Sequence, residues 1–205
     1  MFSELIQLVV LFFVIVDPFM SMGIFYSATQ TLKDKERHKI ALIAVGVAVI
    51  LSSLFLVFGM GVLNVLHLKL GDFQIAGGII LALLGIQMAI GHAGKETNKF
   101  SHQNARAIAA VIGTPLLTGP ATITTIIIST SKFGILSTGP ALAIVFVFTL
   151  LLLYFAPKIT KILGPNITQV ITTLLGMVTL AYGVVYIKAG LLLYSKILCN
   201  ARVQH

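Results

Sequence analysis

The chain has 205 residues, of which 58% are hydrophobic and only 10% charged, with 14 basic side chains against 6 acidic ones. That balance excludes a soluble globular enzyme and points to a polytopic membrane protein. The formal charge of +8 sits in loops beside apolar runs, where it records insertion topology and contact with anionic lipid rather than nucleic-acid binding.

A membrane-crossing helix needs about 20 apolar residues for a hydrocarbon core of ~30 Å. Six stretches meet that need: Leu5–Ala28, Ile40–Leu63, Phe73–Ile90, Ala107–Ser129, Gly139–Ala156 and Ile167–Tyr186. They predict an all-α polytopic fold with short connectors and no soluble domain. The N-terminus has no basic region or small-residue cleavage site ahead of its apolar run, so it reads as a retained first span.

Span one carries Asp17, the one acid well inside an apolar run. At 1.5 Å per residue it lies ~18 Å along, near mid-membrane. Pro18 follows it, and a proline inside a helix costs ~3 kcal/mol or more. A charge at that depth costs ~2.5–3.5 kcal/mol on insertion scales, so Asp17 should face protein or water. Three roles are open to it: a cap for backbone N–H groups freed at the break, a cap that also couples a proton or cation, or a contact for a substrate ammonium.

After span one comes the charged connector TLKDKERHK, and after span three the polar linker from Gly91 to Arg106, which divides the chain into halves of three spans. The organisation expected is a first repeat over 1–94, a cytoplasmic linker over 95–106, a second repeat over 107–194 and a tail over 195–205. The connectors after spans one, three and five hold Lys33, Lys35, Arg37, Lys39, Lys95, Lys99, Arg106, Lys158 and Lys161. The other side holds Lys69, Lys132, Lys188, Lys196 and Arg202. The richer side is cytoplasmic by the positive-inside rule, so both termini face out and the halves insert in opposite directions. That is the layout of inverted-repeat transporters.

Span four contains GTPLLTGPATITT from Gly113 to Thr125, with Pro115, Gly119 and Pro120 at mid-depth. Broken backbone in lipid is tolerated only where it is buried in protein or lines a wet cavity. Asp17-Pro18-Phe19-Met20-Ser21-Met22-Gly23 aligns with Thr114-Pro115-Leu116-Leu117-Thr118-Gly119-Pro120: an acid or hydroxyl before Pro, a hydroxyl three residues after it, then Gly or Pro. Interrupted segments at matching places in two halves point to a transport site. A half-helix beginning near Ala121 would aim its N-terminal N–H groups at the cavity, an arrangement that suits a carboxylate.

Candidate substrate-binding residues are therefore Asp17, Ser21, Met22, Gly23, Thr114, Thr118, Gly119, Pro120 and Thr122. Pro18, Pro115 and Pro120 are the helix breaks, and Asp17 is the coupling candidate. The plainer reading of the hydroxyls is a bond to their own i−4 carbonyl. Gly77, Gly78, Thr172 and Thr173 form small-residue pairs after Gln74 and Gln169. They either pack helices closely or keep room for a small substrate. No His or Lys lies at depth to activate a nucleophile, and no metal-ligand spacing occurs, so no cofactor or metal is assigned.

These motifs, above all PLLTGPATITT and the Asp-Pro of span one, resemble the MarC/SnatA family from about Phe2 to Leu193. The resemblance implies a transporter of small neutral amino acids such as glycine, alanine or serine, working by alternating access in the cell membrane with a proton or sodium ion as partner. The alternatives are an exporter of another small metabolite or drug, or a passive channel. Where that family carries Asp-Pro-x-Gly-Asn-x-Pro, this chain has Met20, Ser21 and Gly23 in place of Gly, Asn and Pro, which puts substrate range and break geometry in question.

Overall fold

The computed structural model describes residues 2–90 and 117–203, all helix and short turn, with no strand among them. Helix α1 (Phe2–Val16) and helix α2 (Pro18–Thr29) meet at Asp17 and together make the first span. Then come α3 (Asp34–Val65), α4 (Leu70–Ala89), α5 (Pro120–Phe133), α6 (Ile135–Tyr154) and α7 (Ala156–Val203). The last is bent at Gly164, whose φ of 68° is a conformation that glycine adopts without steric cost.

Five stretches of the described residues are long and apolar enough to cross a membrane: Ser3–Thr29, Asp34–Val65, Leu70–Ala89, Ile135–Tyr154 and Asn166–Leu193. Of the expected fourth span, the described part is essentially α5. Its 14 residues reach about 21 Å at 1.5 Å per residue. Helices α4 and α6 begin three and four residues ahead of the expected Phe73 and Gly139, and two further boundaries differ by more. Helix α3 begins at Asp34 rather than Ile40, because Asp34 and Glu36 in its first turn favour the positive end of the helix dipole. The last helix does not stop at Tyr186, since GLLLYSKIL supplies neither a proline nor a capping glycine to end it.

Two ends of the bundle can be distinguished. His38 of α3 stacks on Tyr154 of α6 with ring centroids 3.8 Å apart, so the start of α3 and the end of α6 share one end. That end holds Lys33, Lys35, Arg37, Lys39, Lys158 and Lys161, and is called the basic end below. Arg37 is buried there, bound to Asp34 at 2.8 Å and donating to the carbonyls of Thr29 (3.1 Å) and Leu32 (3.2 Å) at the C-terminus of α2. The opposite end holds Lys69 and Lys132.

The most extensive helix pair is α4 against α7. Three glycines spaced by seven on each helix set it: Gly71 meets Gly190, Gly78 meets Gly183, and Gly85 meets Gly176. A Cβ on Gly78 would lie 2.6 Å from the Gly183 carbonyl oxygen, and one on Gly85 2.7 Å from that of Gly176. Backbones this close gain van der Waals contact, which drives helix association where lipid supplies no hydrophobic force. Around this pair, α2 packs on α7, α5 on α4, and α3 on both α5 and α6. Phe12, Phe25, Met22, Leu81, Ile126 and Leu153 fill the core. Ile50, Val57, Phe58, Leu83, Val147, Leu151, Val170 and Val184 point outward, a surface suited to lipid.

Candidate functional site

The first break centres on Asp17. Its backbone sits in the left-handed region (φ 39°, ψ 76°), which Asp tolerates better than most residues because its short side chain bonds locally. Its N–H still donates to Phe13 (3.2 Å) and its carbonyl accepts from Ser21 (3.1 Å). These two bonds flank the kink; between them the ladder is interrupted, since proline has no N–H to donate. Pro18 takes the first helical position of α2, where a missing N–H is harmless. Asp17 Oδ1 accepts from Met20 N–H at 3.1 Å, the side-chain cap. Asp17 Oδ2 is different: it is buried and has no hydrogen-bond partner. The Thr172 hydroxyl of α7 stands beside the carboxylate without completing a bond to Oδ2.

The second break is built at Gly119-Pro120. Gly119 is the extended N-cap of α5 (φ −73°, ψ 176°) and offers no side-chain cap, while Pro120 opens the helix. The first intrahelical bond runs from Ile123 N–H to the Gly119 carbonyl at 3.0 Å. The N–H groups of Ala121 and Thr122 thus precede the ladder and have no acceptor within it. Thr118, just before the break, donates to the Ala48 carbonyl of α3 at 3.2 Å, with Ser52 Oγ 3.5 Å away. Pro120 opens α5 as Pro18 opens α2. Pro115, which the motif aligns with Pro18, lies outside the described residues together with Thr114.

Both breaks face one cavity of about 140 Å³. That is room for several ordered waters or one small molecule. Asp17, Ser21, Gly119, Pro120 and Thr122 line it, joined by Ile15 and Val16 of α1, Met20 of α2, Ala121 of α5, and Ile80, Leu84 and Met88 of α4. Its lining along α4 runs from mid-helix toward the basic end. One carboxylate and one uncapped helix N-terminus are therefore set in otherwise largely aliphatic walls, with no basic side chain among them.

The other candidates lie elsewhere. Met22 is core, and a Cβ on Gly23 would lie 3.9 Å from Thr168 Cγ2. Gly77 is pressed against the Thr124 side chain and Gly78 against Gly183, so these two positions are filled by helix packing. Thr118 ties the second break to α3. Thr172 reaches the site from behind Asp17. Thr173 is half-buried and accepts from Gln169 at 3.4 Å. The sequence did not single out Ile80, Leu84 and Met88, which are apolar residues in an apolar helix. Ser52, a hydroxyl in the middle of span two, did carry a usable signal.

The sequence pattern of a family described as MarC family integral membrane protein matches residues 2–194. Curated relatives include a UPF0056 membrane protein of Buchnera aphidicola subsp. Baizongia pistaciae, 30% identical over 93% of both chains. A UPF0056 membrane protein of Methanocaldococcus jannaschii is 27% identical, covering 87% of this chain and 91% of its own. One of Chlamydia muridarum is 27% identical over 80% and 81%. No solved structure matches. With the match running through both helix breaks and the cavity between them, the chain belongs to the MarC family of integral membrane proteins.

Proposed function

We propose that the protein is a secondary transporter of small neutral amino acids, with glycine, alanine and serine as the substrate class. The observation that carries this reading is that one small cavity is lined both by Asp17, whose Oδ2 has no hydrogen-bond partner, and by the uncapped N-terminus of α5. A zwitterion presents one charge to each. Its ammonium would bond to the Asp17 carboxylate, and its carboxylate would accept from Ala121 and Thr122 N–H groups, aided by the helix dipole. The aliphatic wall of Ile80, Leu84 and Met88 leaves space only for a short side chain.

The same reading takes the two halves as inverted repeats of three spans each, placed in the cell membrane with both termini outside. Supporting it, exchanging Gly71, Gly78 and Gly85 with Gly176, Gly183 and Gly190 reproduces the same three pairs, as a two-fold axis through the Gly78–Gly183 crossing would require. The packing of α2 on α7 has its counterpart in α5 on α4. Alternating access then amounts to opening the cavity first toward the basic end and next toward the opposite one. A proton or sodium ion bound at Asp17 would couple that movement to a gradient.

Ligand competition on the purified protein tests the substrate class. Glycine and alanine are expected to raise its melting temperature, whereas acetate and methylamine, each carrying half of the zwitterion, are not. Equal stabilisation by acetate alone would assign the site to a simple anion.

A further inference from the structure

On the side of the breaks away from the basic end, α4, α5 and α7 close on one another through polar side chains with unmet hydrogen bonds. Gln74 Oε1 of α4 and Ser129 Oγ of α5 are both buried without a partner. The Tyr186 hydroxyl of α7, also buried, faces Thr125 and Ser129. Helix register puts the three at one level. Gly77 rests on Thr124, and Gln74 lies one turn beyond Gly77 while Ser129 lies just over one turn beyond Thr124. Gly78 crosses Gly183, and Tyr186 is one turn past Gly183, beside Gln74. Next to them Thr125 donates to its own i−4 carbonyl at 2.8 Å, as Thr149 and Thr179 do farther off at 2.7 and 2.9 Å. Single hydroxyls such as Thr138 Oγ1 of α6 are also buried without a partner; what sets this layer apart is two such atoms at one level on facing helices.

Two buried polar atoms left unsatisfied in one layer are out of place in a permanently closed seam. Water entering the layer would satisfy both. The elements around it also differ in how tightly they are joined. Helices α4 and α7 are locked by three glycine crossings, whereas α5 meets that pair through side chains.

We infer that Gln74, Ser129 and Tyr186 form the gate between the cavity and the Lys69–Lys132 end, and that α5 swings away from the α4–α7 pair to open it. This rests on the transport reading, since a gate has a purpose only if the cavity empties to both sides. In the closed form Tyr186 covers Thr125 and Ser129. In the open form the three side chains line the substrate's way out, offering hydrogen bonds and no charge, which suits a zwitterion in transit.

The test is thiol accessibility in a Cys199→Ser background reconstituted in vesicles. Ser129→Cys is expected to react with a membrane-impermeant maleimide added on the side from which Lys132→Cys reacts. Thr149→Cys, equally buried but outside the layer, is expected to stay inert. Ser129→Cys as inert as Thr149→Cys overturns the gate. Against a folding artefact, the double variant Ser129→Cys/Tyr186→Cys is oxidised and assayed for glycine uptake. Uptake lost on oxidation and restored on reduction supports the gate, and uptake unchanged by a formed disulfide overturns it. Labelling of Ser129→Cys in a protein whose parent moves no glycine upholds the gate and sinks only the amino-acid assignment.

Discussion

Gly78 of α4 and Gly183 of α7 cross so closely that a Cβ on Gly78 would lie 2.6 Å from the Gly183 carbonyl oxygen, and one on Gly183 2.7 Å from that of Gly78. The contact is reciprocal, and the flanking pairs Gly71–Gly190 and Gly85–Gly176 sit one heptad to either side. A seam of this kind has backbone against backbone and little room to slide. It gives the rest of the bundle a fixed spine, against which the broken helices α1–α2 and α5 can be placed.

Gly183→Ala is expected to destabilise the protein by ~1–3 kcal/mol, the usual cost of forcing an extra methyl group into a packed core. Gly46→Ala is the control. No atom lies within 4 Å of a Cβ at Gly46, so that change should be neutral or stabilising by up to ~1 kcal/mol through helix propensity. Thermal unfolding in detergent, followed by the loss of monodisperse protein, measures both. Similar melting temperatures for the two variants would contradict the spine.

Thr118→Val should loosen the second break. The valine keeps the shape but removes the donor to Ala48 and leaves that carbonyl to its helical bond alone, a loss of ~0.5–1.5 kcal/mol. Thr149→Val, which gives up only a bond to its own Val145 carbonyl, should cost less. Transport should fall with Thr118→Val and be little changed by Thr149→Val. An inverse order, measured as glycine uptake at equal protein, would remove Thr118 from the positioning of the break.

Gly119→Leu places a branched side chain on the cavity wall. Gly119 has ordinary extended backbone angles, so the substitution carries no conformational strain, and a folded protein with no uptake is expected. Normal uptake by this variant would exclude Gly119 from the substrate path.

The orientation is checked by cysteines at Lys35, Lys161 and Lys132. The first two belong to the basic end and should react with an impermeant reagent only from the cytoplasm, and the third only from outside. Lys35→Cys and Lys132→Cys reacting from the same side would defeat the inverted arrangement of the halves.

Much of the site was legible because its residues are anomalies in their setting. An acid, two X-Pro breaks and clustered hydroxyls within apolar runs violate what a membrane helix tolerates, and Asp17, Ser21, Gly119, Pro120 and Thr122 do line one cavity. Apolar residues leave no such mark, so Ile80, Leu84 and Met88 could be found only from the packing of α4. Gly77 and Gly78 show the limit from the other side. Their smallness was visible, but whether it serves a substrate or a neighbouring helix depends on what stands opposite, and there Thr124 and Gly183 fill the space. Pro115 lies outside the described residues, so its pairing with Pro18 is left as the motif has it, while Pro120 opens α5 as Pro18 opens α2.

The transport reading gives the Asp17 carboxylate a role beyond capping α2: it serves a transported zwitterion or its coupling ion. Uptake of labelled glycine into proteoliposomes, under imposed proton and sodium gradients, tests it most directly when the parent is compared with Asp17→Asn. Asparagine can still accept from Met20 N–H, so the cap and the fold should survive, but it carries no charge and takes up no proton at ordinary pH. The parent is expected to concentrate glycine under one of the gradients, and the variant, folded and monodisperse, to lose that gradient-driven accumulation. Accumulation by Asp17→Asn equal to that of the parent under the same gradient would contradict it.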